Sequence, residues 1–301
     1  MGKTILIAGG SGLIGSAFRK EAEALGFSVL SLSRSSGPGK IQWDPAQKKI
    51  HLDQPVSADA IINLAGNSIA GKRWTASRKT EIIKSRVESS ETIEAYLKNG
   101  LLKTGVYIGA SGVGIYADRG SAQVDDHTPV DPTGTFMIDT VQQWEASHRK
   151  METLGIRTVI CRFGLVLTTR GGVLKEIMMP AAFGVLPCFG TGRQYWPWIH
   201  IQDVVGFLLQ AIGQPERKGT YLVCAPGSVS QLEVMKAIQA FQSPKRILLR
   251  VPAFVLAIML GEMHAALLES CKGYPARLLG EGYAFRFPEI HGAMKDLLKK
   301  K

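Results

Sequence analysis

Up to Gly164, short apolar runs alternate with longer stretches in which apolar positions recur every three or four residues. That is the pattern of β-α-β units wound around a parallel sheet. The runs predict strands over 4–8, 28–33, 60–64, 106–110 and 158–163. The periodic stretches predict helices over 12–25, 75–97 and 136–154. Gly26, Asn99-Gly100 and Gly155 stand where helices stop. A polar excursion around Trp43-Asp44-Pro45 interrupts the alternation. After Gly164 the pattern loosens into a helix over 173–183, a Gly/Pro-rich loop, a strand over 198–201, a helix over 202–212 and a strand over 220–224. Beyond Ser230 the pattern predicts mainly helices and one aromatic strand over 283–287. The expected architecture is α/β, a Rossmann-type doubly wound parallel sheet with a smaller, mainly helical C-terminal substrate domain. Residues 1–168 form the first domain, 199–226 return to it, and 169–198 with 227–301 form the second.

Composition narrows the class. With 45% hydrophobic and 20% charged residues, the chain of 301 can bury a large core and stay in water. The longest apolar stretch, 251–261, is too short to cross a bilayer. Met1-Gly2-Lys3 runs straight into the first strand and leaves no room for a leader. A cytoplasmic protein with no membrane partner is expected. Cys161, Cys188, Cys224 and Cys271 form no Cys-x-x-Cys pair and the six His have no ligand spacing, so no metal is expected. The net charge is +11, and residues 245–301 carry ten Lys/Arg against five Asp/Glu. Such a surface attracts an anionic small molecule; a solvated face with a Lys299–Lys301 tail is the alternative. No nucleic-acid module accompanies the charge. A homodimer is left open.

The segment after the first strand, Gly9-Gly10-Ser11-Gly12-Leu13-Ile14-Gly15, contains G-x-x-G-x-x-G between a predicted strand and a predicted helix. Gly9 can take the tight turn, Gly12 lets backbone approach a pyrophosphate, and Gly15 allows close packing of helix on sheet. Unpaired N–H groups of Leu13, Ile14 and their neighbours then face the phosphates, with Ser11 at the turn. NAD sites place an acid at the end of the second strand to hold the ribose 2′-hydroxyl. Here that position is Arg34, between Ser33 and Ser35. A guanidinium binds a 2′-phosphate and stacks on adenine, so NADP(H) is preferred over NAD.

Further segments carry a resemblance: Asn63-Leu64-Ala65-Gly66, Ala110-Ser111-Gly112-Val113-Gly114-Ile115-Tyr116, Arg162-Phe163-Gly164-Leu165-Val166-Leu167 and Trp198-Ile199-His200-Ile201-Gln202-Asp203. With the glycine turn, these resemble the extended short-chain dehydrogenase/reductase superfamily. More closely, the chain resembles its atypical epimerase-family branch, the nucleoside-diphosphate-sugar-epimerase-like proteins, through Trp43-Asp44-Pro45, Arg73-Trp74, Trp144-Glu145 and Gly282–Pro288. The resemblance covers essentially the whole chain. It implies that Leu64, Ala65 and Gly66 line the adenosine side and that Ser111 lies near the nicotinamide. It implies that Gly164 and Val166 approach the nicotinamide ring or the substrate pocket. Arg86, on the helix over 75–97, is expected to reach a cofactor phosphate.

Typical members carry Tyr-x-x-x-Lys on one helix face, where Lys lowers the phenol pKa and Tyr moves the proton. None of the seven Tyr here has Lys four residues on; in the expected helix, Met137 and Val141 stand eight and four residues before Glu145. Sugar-nucleotide enzymes often place Arg four residues before the His of the Ile-His motif; here that residue is Trp196, and nearby Arg193 is the substitute. The loop 190–196, glycine-rich and aromatic together, has the character of a ligand loop. Ser111 and Tyr116 remain as catalytic candidates, and Arg193 and His200 as substrate contacts. Three readings stay open: an oxidoreductase or epimerase with an altered acid, a non-catalytic NADP(H)-binding regulator or scaffold, and a relic fold without ligand.

Overall fold

The protein is described from a computed structural model covering residues 3–130, 134–242 and 244–299. The Thr4–Ala8 run is apolar on both sides, and its residues divide between two cores. Ile5 and Ile7 pack on one face with Phe18, Val204 and Phe207, while Leu6 and Ala8 pack on the other with Trp43 and Ile93. Continuous burial of this kind belongs to a central parallel strand covered on both faces. Helix α1, Leu13–Ala24, buries Gly15, Phe18 and Ala22, three and four residues apart, on the first face.

The sheet runs Gly219–Val223, Arg157–Phe163, Val106–Gly112, Ala60–Asn63, Thr4–Ala8, Ser28–Ser33, Lys40–Asp44 and Lys49–Ile50. All neighbours pair in parallel except the last two, which form an antiparallel edge. The polar stretch around Trp43 is therefore sheet edge. Asp44 accepts the Ala46 N–H at 3.0 Å, and Trp43 is buried. Thr4–Ala8 has Ser28–Ser33 on one side and Ala60–Asn63 on the other, so the strand order reverses at its C-terminal end. Ligands of doubly wound sheets bind at such a point.

Helix α2, Ala76–Lys98, starts from a Thr75 hydroxyl that accepts the Arg78 N–H. Helix α3, Phe136–Arg149, stops short of the expected Leu154; a separate turn over Glu152–Leu154 follows and ends at Gly155, φ +73°. Asn63 donates to Ser89, Ser90 and the Tyr107 hydroxyl, and His148 binds Ser90 and Tyr107 through Nδ1 and the Ala110 carbonyl through Nε2. This buried network fastens α2 and α3 to the sheet beneath the site.

Helix α4, Gly172–Ala181, and α6, Gln231–Ala240, pack with the C-terminal helix Ile290–Leu298 around Trp196, Trp198 and Met235. Between α4 and α6 in sequence, helix α5, Ile201–Gly213, lies against α1, and Gly219–Val223 extends the main sheet. The C-terminal part holds a parallel strand pair, Val185–Phe189 with Ile247–Val251, where the sequence pattern predicted a loop and helices. Five-residue apolar runs do not distinguish strand from buried helix.

The aromatic stretch 283–287 is a correction: it is an irregular strap. The Tyr283 N–H goes to the Leu278 carbonyl and those of Arg286 and Phe287 to a side chain, none of them to a neighbouring strand. Asp203, 1% exposed on α5, accepts the N–H groups of Arg286 at 2.7 Å and Phe287 at 3.1 Å. The Tyr283 hydroxyl donates to the Asp203 carbonyl at 2.7 Å. Asp203→Ala is expected to cost about 2–3 kcal/mol, the loss of a charge-assisted pair of hydrogen bonds inside an apolar wall. Urea unfolding measures it, and an unchanged midpoint contradicts the anchoring role.

Candidate cofactor and substrate site

At the reversal point, Gly9 has φ +80°, and a Cβ there would lie 2.7 Å from the Leu64 carbonyl carbon. A Cβ on Gly15 would lie 2.3 Å from the Gly9 carbonyl oxygen. These two glycines close the turn. Gly12 has an ordinary φ of −72°, and a Cβ there would meet only the Gly9 oxygen, at 3.2 Å. It leaves open space before the helix, with Ser11 exposed at the rim. No side chain caps α1, and Ser16 N–H to Gly12 O is its first ladder bond. The N–H groups of Leu13, Ile14 and Gly15 precede that bond at the positive end of the helix dipole. A cradle of this form fits a diphosphate.

Register Ala8↔Leu32 brings Ser33 and Arg34 level with the turn. Ser33 Oγ accepts the Ser35 N–H at 3.2 Å, and Arg34 is exposed. No acid occurs from residue 24 to 43, so no carboxylate opposes a phosphate there. Across the turn, Leu64 N–H donates to the Ala8 carbonyl, and Ala65 N–H to Asn63 Oδ1. Arg86 is buried under this loop: a Cβ on Gly66 would touch its side chain at 3.2 Å. Its Nη1 donates to the Asn67 and Ile82 carbonyls, and its guanidinium lies 4.8 Å from the Trp144 ring. Burial lowers its pKa to about 10. In this arrangement Arg86 supports the loop from below, and Arg34 is the cation at the glycine turn.

Ser111, Glu145, Tyr116 and Arg162 form one cluster. Glu145 on α3 is 1% exposed and receives Arg162 in a two-pronged pair, Nε to Oε1 at 2.7 Å and Nη2 to Oε2 at 2.9 Å. Arg149 Nη2 donates to Oε2 at 2.8 Å. Burial pulls the Glu145 pKa up, but the hydrogen bonds and charge of Arg162, with help from Ser111 and Arg149, outweigh it and hold the carboxyl below its usual range. The Ser111 hydroxyl donates to Glu145 Oε1 at 2.7 Å, so only its lone pairs remain for the cleft. Tyr116 is fully buried; its hydroxyl accepts from Arg162 Nη1 at 2.7 Å and donates to the Asp125 carbonyl at 3.0 Å. Burial, partly offset by Arg162, pushes its pKa up to about 12. The two expected catalytic residues thus lie together but with their protons committed. Glu145 and Arg162 were not singled out by the sequence reading as a pair. The available signal was Arg162 itself, a charge ending an apolar strand that demands a buried counterion.

Gly164 is pressed against the next segment; a Cβ there would lie 2.6 Å from the Pro197 carbonyl oxygen. Val166 lies in a short strand beside Trp198–His200, and a Cβ on Gly171 or Gly172 would lie 3.2 Å from the Leu13 side chain at the helix opening. His200 caps α5 by accepting the Gln202 N–H on Nδ1, stacks 3.9 Å from Phe287 and approaches Asp296. It is fully buried, and burial lowers its pKa to about 4. These contacts give the ring a structural task in place of the expected substrate contact. A cavity of about 490 Å³ opens between Asp118, Gly120, Thr191, Arg193, Tyr195 and Ala253. Gly190 and Gly192, with φ +58° and +71°, shape its loop, and Arg193 is exposed with no ion pair among the described residues. A second cavity, of about 380 Å³, lies on the far side between α1 and α5.

Fold and site together define the Rossmann class of α/β proteins, of the short-chain dehydrogenase/reductase type. The chain belongs to the NAD dependent epimerase/dehydratase family, whose model matches residues 5–224; residues 251–297 match a domain of unknown function, DUF1731. It is 32% identical to the epimerase family protein SSP1921 of Staphylococcus saprophyticus, over 98% of this chain and 99% of that one. It is 31% identical to human epimerase family protein SDR39U1 over the same shares. The crystal structure of human SDR39U1 (isoform 2) with NADPH superposes with a TM-score of 0.90, covering 99% of this chain and 100% of that one. No helix among the described residues is long and apolar enough to cross a membrane.

Proposed function

We propose that the chain binds NADPH at the glycine turn and acts as a reductase of small, anionic carbonyl compounds. The uncapped opening of α1 with Arg34 beside it carries this reading. The NADPH in the structure of the human relative supports it. The N–H groups of Leu13 and Ile14 hold the diphosphate, and Arg34, with Ser33, holds the 2′-phosphate. Bound NADPH supplies a hydride. Gly164 and Val166 shape the adjoining wall, and Arg193 at the cavity rim draws the anionic group. Ser111 offers lone pairs and Tyr116 is buried, so the proton that completes the alcohol comes from water entering the cleft.

Fluorescence titration with NADPH and NADH tests the cofactor assignment. The wild type should prefer NADPH, and Arg34→Asp should weaken NADPH binding about tenfold by replacing attraction with repulsion. Equal affinity for both cofactors in the wild type contradicts the assignment. A second reading, an NADPH-responsive binding protein without turnover, is favoured by the Ser111–Glu145 hydrogen bond alone. It predicts tight NADPH binding with no substrate-dependent loss of absorbance at 340 nm, the nicotinamide band.

A further inference from the structure

Helix α7, Ala253–Leu260, is apolar around its whole circumference, yet Leu256 is its one buried residue. Ala253, on the Leu256 side, faces the substrate cavity. Phe254 and Ile258, one turn apart on the opposite side, are 67% and 69% exposed. The strand leading into α7 continues the surface: Ile247 and Leu249 alternate outward, and the Ile247 N–H donates to the carbonyl of Gly184, next to the exposed Phe183. Isolated apolar residues at a surface are ordinary; a contiguous set from three segments marks a contact surface.

Charge identifies the occupant. From residue 234 to 261 there is no Asp or Glu, while Lys236, Lys245, Arg246 and Arg250 fall in that span. None of the four makes an ion pair among the described residues. Two copies meeting through this face would bring like charges together. An apolar ridge flanked by cations instead matches a bilayer surface bearing anionic headgroups. We propose that the face formed by α7 and Ile247–Val251 docks on an anionic membrane surface, with Phe254, Ile258, Ile247 and Leu249 in the headgroup–acyl boundary and Lys245 and Arg246 on the phosphates. This departs from the expectation of no membrane partner, which rested on the lack of a spanning segment; a helix lying in the interface needs no such length. The anchor points carry the cofactor cleft with them. Arg73, on the loop before α2, donates to the Ile258 and Met259 carbonyls, and Lys79 of α2 pairs with Glu262. The outward face of α7 therefore meets the bilayer while its inward face borders the substrate cavity.

Vesicle flotation of the full chain tests this. Phosphatidylcholine vesicles with about 30% phosphatidylglycerol should carry the protein up, and pure phosphatidylcholine vesicles should not. High salt should weaken the binding, and Phe254→Asp with Ile258→Asp should reduce it at least about tenfold. Melting temperature and NADPH affinity of the double variant report that the fold is intact; Lys245→Glu with Arg246→Glu provides an independent variant that removes no apolar contact. Absence of flotation on the anionic vesicles, or flotation indifferent to both variants, overturns the proposal. So does a dimer in light scattering that the double variant dissolves, because the face is then a contact between copies.

Discussion

Gly12→Val is expected to lower NADPH affinity at least about 100-fold while leaving the fold in place, a loss of about 2.7 kcal/mol or more in binding. The three glycines of the turn are not equivalent. Gly9 and Gly15 have backbone where a Cβ would go, at 2.7 and 2.3 Å, so substituting them deforms the turn. At Gly12 the backbone is of a kind any residue adopts, and one oxygen at 3.2 Å is the sole neighbour. The valine branches would stand in front of the Leu13 and Ile14 N–H groups, in the space a diphosphate fills. Titration reads the affinity, and circular dichroism melting shows whether the protein stays folded. A Gly12→Val protein that melts normally and binds NADPH as tightly as the wild type contradicts the location of the site.

Removing Glu145 should have the largest effect on stability. Glu145→Ala strands the Arg162 guanidinium in a buried site and takes the acceptor from Ser111, at an expected cost of about 3–5 kcal/mol. A loss of that size lowers the melting temperature by on the order of 10 °C. The double variant Glu145→Leu, Arg162→Met should recover much of it, because an apolar pair leaves no orphaned charge. The pH dependence follows from the depressed carboxyl pKa. Stabilisation is fully present above the unfolded carboxyl pKa of about 4.3 and is lost as pH falls through the lower folded value. Wild-type stability should therefore decline below about pH 4, and in Glu145→Gln that part of the decline should be missing. A Glu145→Ala protein as stable as the wild type shows the cluster to be idle.

The first half of the molecule was legible because each local signal has one physical meaning. Residues 4–8 are an apolar run ending at Gly9 and residues 28–33 alternate serine with Val29, Leu30 and Leu32, and both occupy those positions in the sheet. The glycine turn was legible for the same reason: Gly9 and Gly15 leave no room for a Cβ, and Gly12 lies between them at the fixed spacing. Where the reading failed, the deciding partner lay far off in sequence. The strap over 283–287 has strand composition, yet Asp203, about eighty residues earlier, takes its donors. Ile247–Val251 is a strand because Val185–Phe189 lies beside it. His200 stood as a candidate substrate contact, and burial against Phe287 with a hydrogen bond from the Gln202 N–H makes it a cap of α5. Tyr116 stood as a catalytic candidate, and its hydroxyl is held by Arg162 and the Asp125 carbonyl.

The Asp203 anchor also bears on how the chain can be divided. The two stretches matched by separate family models, 5–224 and 251–297, meet at one carboxylate: Asp203 belongs to the first and Arg286 and Phe287 to the second. Cutting the polypeptide between the matches would leave that carboxylate facing an unfilled apolar trough on α5, and would strip Tyr283 from Phe207. The two stretches thus share a packed seam on α5, and a cut between them exposes the Asp203 carboxylate that both stretches use.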